Sequence, residues 1–426
     1  MKKGLTDKIP FAYKLLFKKW RAKILSGAKQ ENKPYPKPSN KNGNGKHSFS
    51  VIVFNDSLPE FDRDSGSLRL FTILRILAQR GKVKFVPLYV KRCDFYESEL
   101  AENGVETISA FDFQNELKRE KYDYAILSRG EVAEKVFSLV RRRSPQTKII
   151  YDTVDVHFVR LQREYELTGD ENLLPEIDKM KQIETRLARQ SDQVWCVTEQ
   201  DERFLCKLAP ESDYQIVSNI HYPESRGLSF DGRAGILFVG GFAHRPNRDA
   251  VLFFLNEIFP LVLQKTPDAK FYIVGSDPPP EISARESKNV IVKGFVPDVA
   301  PLFENCRVFV APLRYGAGMK GKVGQALAFG LPTVTTNIGA EGMNLTNGRE
   351  VLISDSPADF AANVCRVYED ANLWQNLSNA GREYIIKTLS PDVVEEKIIK
   401  ALRKLKSGEV EKIEKIEKSK KIDYES

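Results

Sequence analysis

Residues 307–336 read RVFVAPLRYGAGMKGKVGQALAFGLPTVTT. The apolar run 307–311 has the β-branched content of a buried strand. Gly316, Gly318 and Gly321 then punctuate a loop that carries Lys320 and Lys322. Val323, Ala326 and Leu327 follow at helical spacing, Gly330 and Pro332 end the helix, and another short strand begins. Strand, loop, helix and strand in so short a span imply parallel strands covered by helices. A glycine-rich basic loop that feeds a helix amino end suits a diphosphate, because free amides, partial positive charge and lysines meet there. A flexible loop whose lysines only face water is the alternative reading of the same residues.

Working outward, the same alternation runs along most of the chain. Apolar runs at 236–239, 270–274, 290–293 and 332–336 are separated by helical segments, and the stretch before them repeats the pattern. There, runs at 48–55, 83–90, 124–128, 148–152, 193–198 and 214–219 read as strands, with a helix from Gly66 to about Gln79. Two such units in tandem give two doubly wound domains, whose ligands bind at the carboxyl ends of the strands. The pattern lapses near 223–233, so the boundary is set at 225/226. The division is a basic segment and linker over 1–47, domains over 48–225 and 226–390, and a helix with a charged tail over 391–426.

Composition narrows the function. The chain has 426 residues, 42% of them hydrophobic, enough for two cores. No run approaches a membrane span, and no stretch is laid out as a secretory signal. Five scattered cysteines without a CxxC pair suggest free thiols in a reducing cytoplasm rather than zinc. The net charge of +7 is uneven: residues 1–47 carry about +11, which leaves the remainder acidic. A nucleic-acid-binding body is not expected from that balance. Within the basic segment, Tyr13, Leu16, Phe17, Trp20 and Ile24 fall on one face of a helix over 8–25, opposite lysines. Such a helix suits an anionic membrane surface, and packing on the body or a plain basic tail are its alternatives.

Several residues stand where chemistry is expected. After the strand at 236–239 come Gly240, Gly241, Arg245, Asn247 and Arg248. This reads as a second anion-binding turn, or as an ordinary turn with Asn247 capping the helix. In the first half, Gly66 lies between strand and helix with Ser65 and Ser67 as candidate caps. His157 follows the strand at 148–152, with Asp152 and Asp155 near enough to orient it.

The stretch from Ile236 to about Thr388 resembles the donor-binding half of family 4 glycosyltransferases, which have the GT-B fold of two Rossmann-like domains. The resemblance rests on FVGGFAHRPNRDAVLFF, KFYIVGS, NVIVKGFVPDVAPLFENCRVFVAPLRYGAGMKGK, QALAFGLPTVTTNIGAEGM and GREVLISDSPADFAANV. In the first half, DRDSGSLR (62–69) and YDTVDVHFVRLQRE (151–164) are also similar to that family. The resemblance implies a retaining, metal-independent transfer from a nucleotide-sugar donor to a glycan or lipid-linked acceptor, with no cofactor. It implies that His157 helps hold the donor sugar; fixed cations can stabilise the leaving diphosphate, and Arg245 and Lys320 are assigned that role. Gly66, Gly241, Asn247, Gly316, Ala317, Gly318, Met319 and Gln325 complete the expected donor site. Many members carry a pair of glutamates separated by seven residues, and here those places hold Ala317 and Gln325. Gln325 offers a ribose hydroxyl a neutral partner, weaker than a carboxylate. A nucleotide-sugar epimerase and a non-catalytic binding protein are the rival functions on the same fold.

Overall fold

The computed structural model describes residues 48–89 and 93–422. The basic segment and its helix over 8–25 lie outside the described residues.

Seven parallel strands form the first sheet: β1 Ser50–Asn55, β2 Lys82–Pro87, β3 Val105–Thr107, β4 Tyr124–Ser128, β5 Lys148–Asp152, β6 Gln193–Cys196 and β7 Tyr214–Ile216. Their order is β3-β2-β1-β4-β5-β6-β7. Six more form the second: β8 Ile236–Val239, β9 Phe271–Val274, β10 Val290–Gly294, β11 Val308–Ala311, β12 Thr333–Thr335 and β13 Leu352–Ile353. These run β10-β9-β8-β11-β12-β13. Both orders reverse beside the first strand, and crevices at strand carboxyl ends open at such reversals. The two tandem doubly wound domains expected from the strand–helix alternation are therefore present, as the GT-B resemblance implied.

Central strands such as VIVF in β1 and VFVA in β11 are fully buried, which explains their unbroken apolar runs. Two edge strands were not foreseen, β3 and β13. They are only three and two residues long, and β3 reads Val-Glu-Thr, so neither carries a usable apolar signal. The helix after the Gly240–Gly241 turn starts at Arg245 and reaches Lys265 through a π turn at Phe254–Ile258. Pro246 suits the first turn, where an N–H is not needed. Pro260 has no N–H to give the ladder, and the wider π turn directly precedes it.

Seven helices matter for the site and the domain arrangement: α1 Ser65–Ala78, α2 Gly130–Arg143, α3 His157–Thr168, α4 Leu174–Gln190, α5 Arg245–Phe253, α6 Gly321–Ala328 and α7 Pro391–Ile422. Helix α7 leaves the second domain and returns to the first. Its Val394, Ile398, Ala401 and Leu402 join the core that lies under β1 and α1. Gln193 Nε2 donates to the Ala401 carbonyl at 3.2 Å, and the Tyr124 hydroxyl to that of Leu402 at 3.3 Å. The first domain is thus completed by the end of the chain.

Candidate active site

At the reversal point of the second sheet, β8 ends and the chain turns through Gly240 and Gly241 into α5. Asn247 is 5% exposed and reaches back, its Nδ2 donating to the Gly241 carbonyl at 2.7 Å. A Cβ on Gly240 would lie 2.7 Å from that Nδ2, so only glycine lets the amide tie the turn. Asn247 therefore builds the turn, while His244 occupies the helix cap position without a side-chain cap bond.

The loop after β11 stands beside this turn. Gly316 and Gly318 have φ of 145° and 66°, conformations that side chains resist. Among the described residues, no backbone carbonyl accepts from the amides of residues 316–319. The loop carbonyls, by contrast, are held across the cleft. Gly316 O accepts from Arg163 Nη1 at 2.5 Å, and Met319 O from Asn219 Nδ2 at 3.3 Å. Ala317 packs against the first domain's core.

Lys320 does not face water, as the alternative reading of its loop would have it. It is 8% exposed, its Nζ donating to Gly318 O at 2.7 Å and lying 3.5 Å from Glu341. Burial lowers its pKa, opposed by the charges of Glu341 and Asp201. A long side chain can bury its stem where a carboxylate receives its head. Lys322 differs: among the described residues no carboxylate pairs with it. Its Nζ donates to Asn247 Oδ1 and sits 4.8 Å from the centroid of the Phe238 ring. Burial and the charge of Lys320 bring its pKa down to about 7. Nearby His244 is pushed down to about 4 by burial, with Lys322 and Arg160 adding repulsion. Gln325 is partly buried on α6.

The opposite wall comes from the first domain. Beyond β4 and β5, Arg129 and Val154 adopt φ of 72° and 64°. Positive φ is unfavourable for an ordinary side chain and a genuine outlier for β-branched Val154; such strain gathers at ligand sites. Gly66, in the first turn of α1, faces both: its absent Cβ would lie 3.6 Å from Arg129 Nη2 and 3.9 Å from Val154 Cγ1. Asp64, rather than Ser65 or Ser67, caps that helix, accepting from Ser67 N at 2.8 Å.

His157 opens α3 and is held by that helix. The Glu184 carboxylate on α4 accepts from the amides of His157 and Phe158, both at 3.0 Å. Burial raises Glu184 to about 8, against the pull of those two amides. His157 itself is lowered by burial and by Arg160. Asp152 does not orient it. Asp152 is buried in a bidentate pair with Arg69, at 2.8 and 2.9 Å, and also accepts from Ser128 Oγ. Its place inside the strand directs the side chain into the domain.

One face of α3 supplies what the sequence reading passed over. Arg160 lies 3.3 Å from Asp155, Arg163 holds Glu341 through two bonds of 2.6 Å, and Glu164 pairs with Arg245 at 3.0 Å. Arg245, 63% exposed, is thus steadied from the other domain, whereas Arg248 turns to Glu281. The signal was present in HFVRLQRE, where charged residues recur at the spacing that an apolar face would occupy. Arg129 and Glu341 were likewise not singled out, and Lys322 was read only as a charge on the glycine-rich loop, because their partners lie far along the chain. Among the described residues, no group of three or more His, Cys, Asp or Glu is placed to hold a metal ion.

Comparison with known proteins bears on this arrangement. Residues 233–370 match the family model described as glycosyl transferases group 1. An uncharacterized 44.6 kDa protein in the cps region of Klebsiella pneumoniae is 25% identical over 157 residues, 34% of this chain and 40% of that protein. The match thus spans less than half of that relative. Among solved structures, Anabaena HepE in complex with UDP and glucose superposes with a TM-score of 0.63 at 11% identity, covering 83% of this chain and 99% of that one. Sucrose-phosphate synthase from Thermosynechococcus elongatus gives 0.64 at 13% identity, covering 84% and 100%. At such identities these likenesses establish the shared fold.

Proposed function

We propose that this chain, whose residues 233–370 form a glycosyl transferases group 1 domain within a GT-B frame, moves a sugar from a nucleotide-sugar donor to a glycan or lipid-linked acceptor. The observation that carries this is Lys322, a lysine with no carboxylate partner among the described residues, beside the Gly240–Gly241 turn and the amides of residues 316–319, which no described carbonyl accepts from. An amine held near neutrality with no anion beside it is a place prepared for one.

Transfer needs the leaving diphosphate stabilised as the sugar becomes oxocarbenium-like. Fixed cations and amide dipoles do this without reorganising. Lys322 and Lys320 face the diphosphate from α6, Arg245 from α5, and the loop amides cover the donor. Gln325 takes the ribose and His157 the sugar. These cations supply the charge that a metal would otherwise provide, so the reaction proceeds without one. The acceptor hydroxyl approaches over Gly66 and Arg129 and attacks on the face from which the diphosphate leaves, with retention, as the sugar–oxygen bond to the diphosphate breaks and the hydroxyl proton passes to an oxygen of the leaving diphosphate. Asp155 and His157 line that approach.

The Anabaena neighbour is described with UDP and glucose, which makes UDP the first nucleotide to try. In a thermal-shift series with UDP, GDP and ADP in excess EDTA, one nucleotide should raise the melting temperature. A ligand at about a hundred times its Kd adds about 2.7 kcal/mol. With the matching sugar donor and an acceptor, NMR of the product should show the donor's anomeric configuration. Inversion would refute the mechanism, and silence from every nucleotide would favour a non-catalytic binding protein.

A further inference from the structure

Arg163 and Glu341 stand 178 residues apart and join the two domains. Arg163 lies on α3, the helix that begins at His157, and Glu341 follows β12 in the second domain. Both Glu341 oxygens receive Arg163, and the Arg163 Nη1 that bonds Oε2 also donates to Gly316 O at 2.5 Å. The same Oε2 lies 3.5 Å from Lys320 Nζ. One guanidinium and one carboxylate therefore touch both ends of the loop whose amides are free. The pair is largely shielded, at 18% and 16% exposed, where a bidentate arginine–carboxylate bond is at its strongest. Burial would raise Glu341, but the bonds from Arg163 and the charge of Lys320 outweigh it and hold the carboxyl ionised.

The backbone around Glu341 is shaped for this contact. Gly342 has φ of 74°, and a Cβ there would strike Thr198 Cγ2 of the first domain at 2.4 Å. Gly318 also approaches the first domain, less closely, where a Cβ would lie 3.1 Å from Asp155 Cβ. The glycines let the two walls meet where the clamp closes.

We propose that Arg163 and Glu341 are positioning residues that couple closure of the domains to the shape of the donor loop. With the clamp made, Gly316 O is drawn toward α3 and Lys320 toward Glu341, which leaves the amides of residues 316–319 free for the donor. With it broken, the loop is left with the Asn219 bond to Met319 O and the domains with the Glu164–Arg245 pair, so the cleft opens more readily and only a fraction of molecules is competent to bind. This rests on the proposed function for its ligand, UDP, but not for its geometry.

The test uses the full chain with Arg163→Gln, Glu341→Gln and the double variant, plus Arg163→Lys as the charge-conserving control. Folding is checked by thermal melting. Each single change should raise the Kd for UDP about tenfold. The double should be no worse than either single, because one unit is lost in each case. Donor KM should rise with Kd, while the pH profile of kcat keeps its shape. Arg163→Lys keeps the charge but not the fork, and should recover only part of the affinity. Small-angle scattering without ligand should show a larger radius of gyration for both single variants than for the wild type. Singles that bind UDP as the wild type does, or whose effects add fully in the double, would overturn the coupling. If the wild type binds no nucleotide, the functional reading fails, and scattering alone decides the clamp: unchanged radii reject it.

Discussion

Lys320 and Lys322 are two residues apart and face different fates. The first is received by Glu341, and the second leans on Asn247 and the Phe238 ring. Their titration should differ accordingly. Lys322 in the empty site titrates at about 7, far below its ordinary 10.5. A bound diphosphate favours the charged amine and raises that value, so binding takes up a proton wherever the pH lies between the free and bound values. UDP affinity should therefore be flat below about pH 7 and fall above it, by up to about tenfold per unit. Calorimetry at about pH 8, in two buffers of different ionisation heat, should reveal uptake of close to one proton. Lys322→Met should abolish that uptake and weaken binding about tenfold or more. Wild-type binding without proton uptake would take Lys322 out of contact with the phosphates.

At the scale of elements, α3 is the joint of the molecule, and Glu184 fixes where it starts. The carboxyl group is caught between two amides that favour its charge and a buried setting that opposes it. Its folded value, about 8, lies above the ordinary 4.5. The sign follows: its contribution to stability is full below about 4.5 and is lost as pH rises through about 8. Glu184→Gln keeps the shape and removes the titration. Urea unfolding of the wild type should thus show a loss of stability across that window which the variant lacks. Parallel pH curves for the two proteins would mean that Glu184 titrates normally. The central strands could be read directly, since burial on both faces leaves unbroken apolar runs such as those of β1 and β11. The edge strands β3 and β13 could not, because their pairing depends on neighbours rather than composition. The charged face of α3 was readable in principle, yet its partners Arg245, Gly316 and Glu341 lie far along the chain. Asp152 misled because proximity in sequence to His157 says nothing of which way a strand residue points.

For the whole molecule, the second domain carries the two glycine turns and the lysines, the first provides the opposing wall, and α7 packs back onto the first. The glycine punctuation and the order of the motifs announced the two crevices. The pairing of Lys320 with Glu341 and the isolation of Lys322 needed the fold, since both depend on groups from distant segments. The central claim is that a nucleoside diphosphate sits at the reversal point of the second sheet, held by side-chain cations and amides. Hydrogen exchange of the full chain, with and without UDP and in excess EDTA, tests this most directly. Protection should appear at residues 240–247 and 313–325 and extend to the start of α3. Absence of protection at both second-domain segments, or protection that appears only after manganese or magnesium is added, would contradict the account.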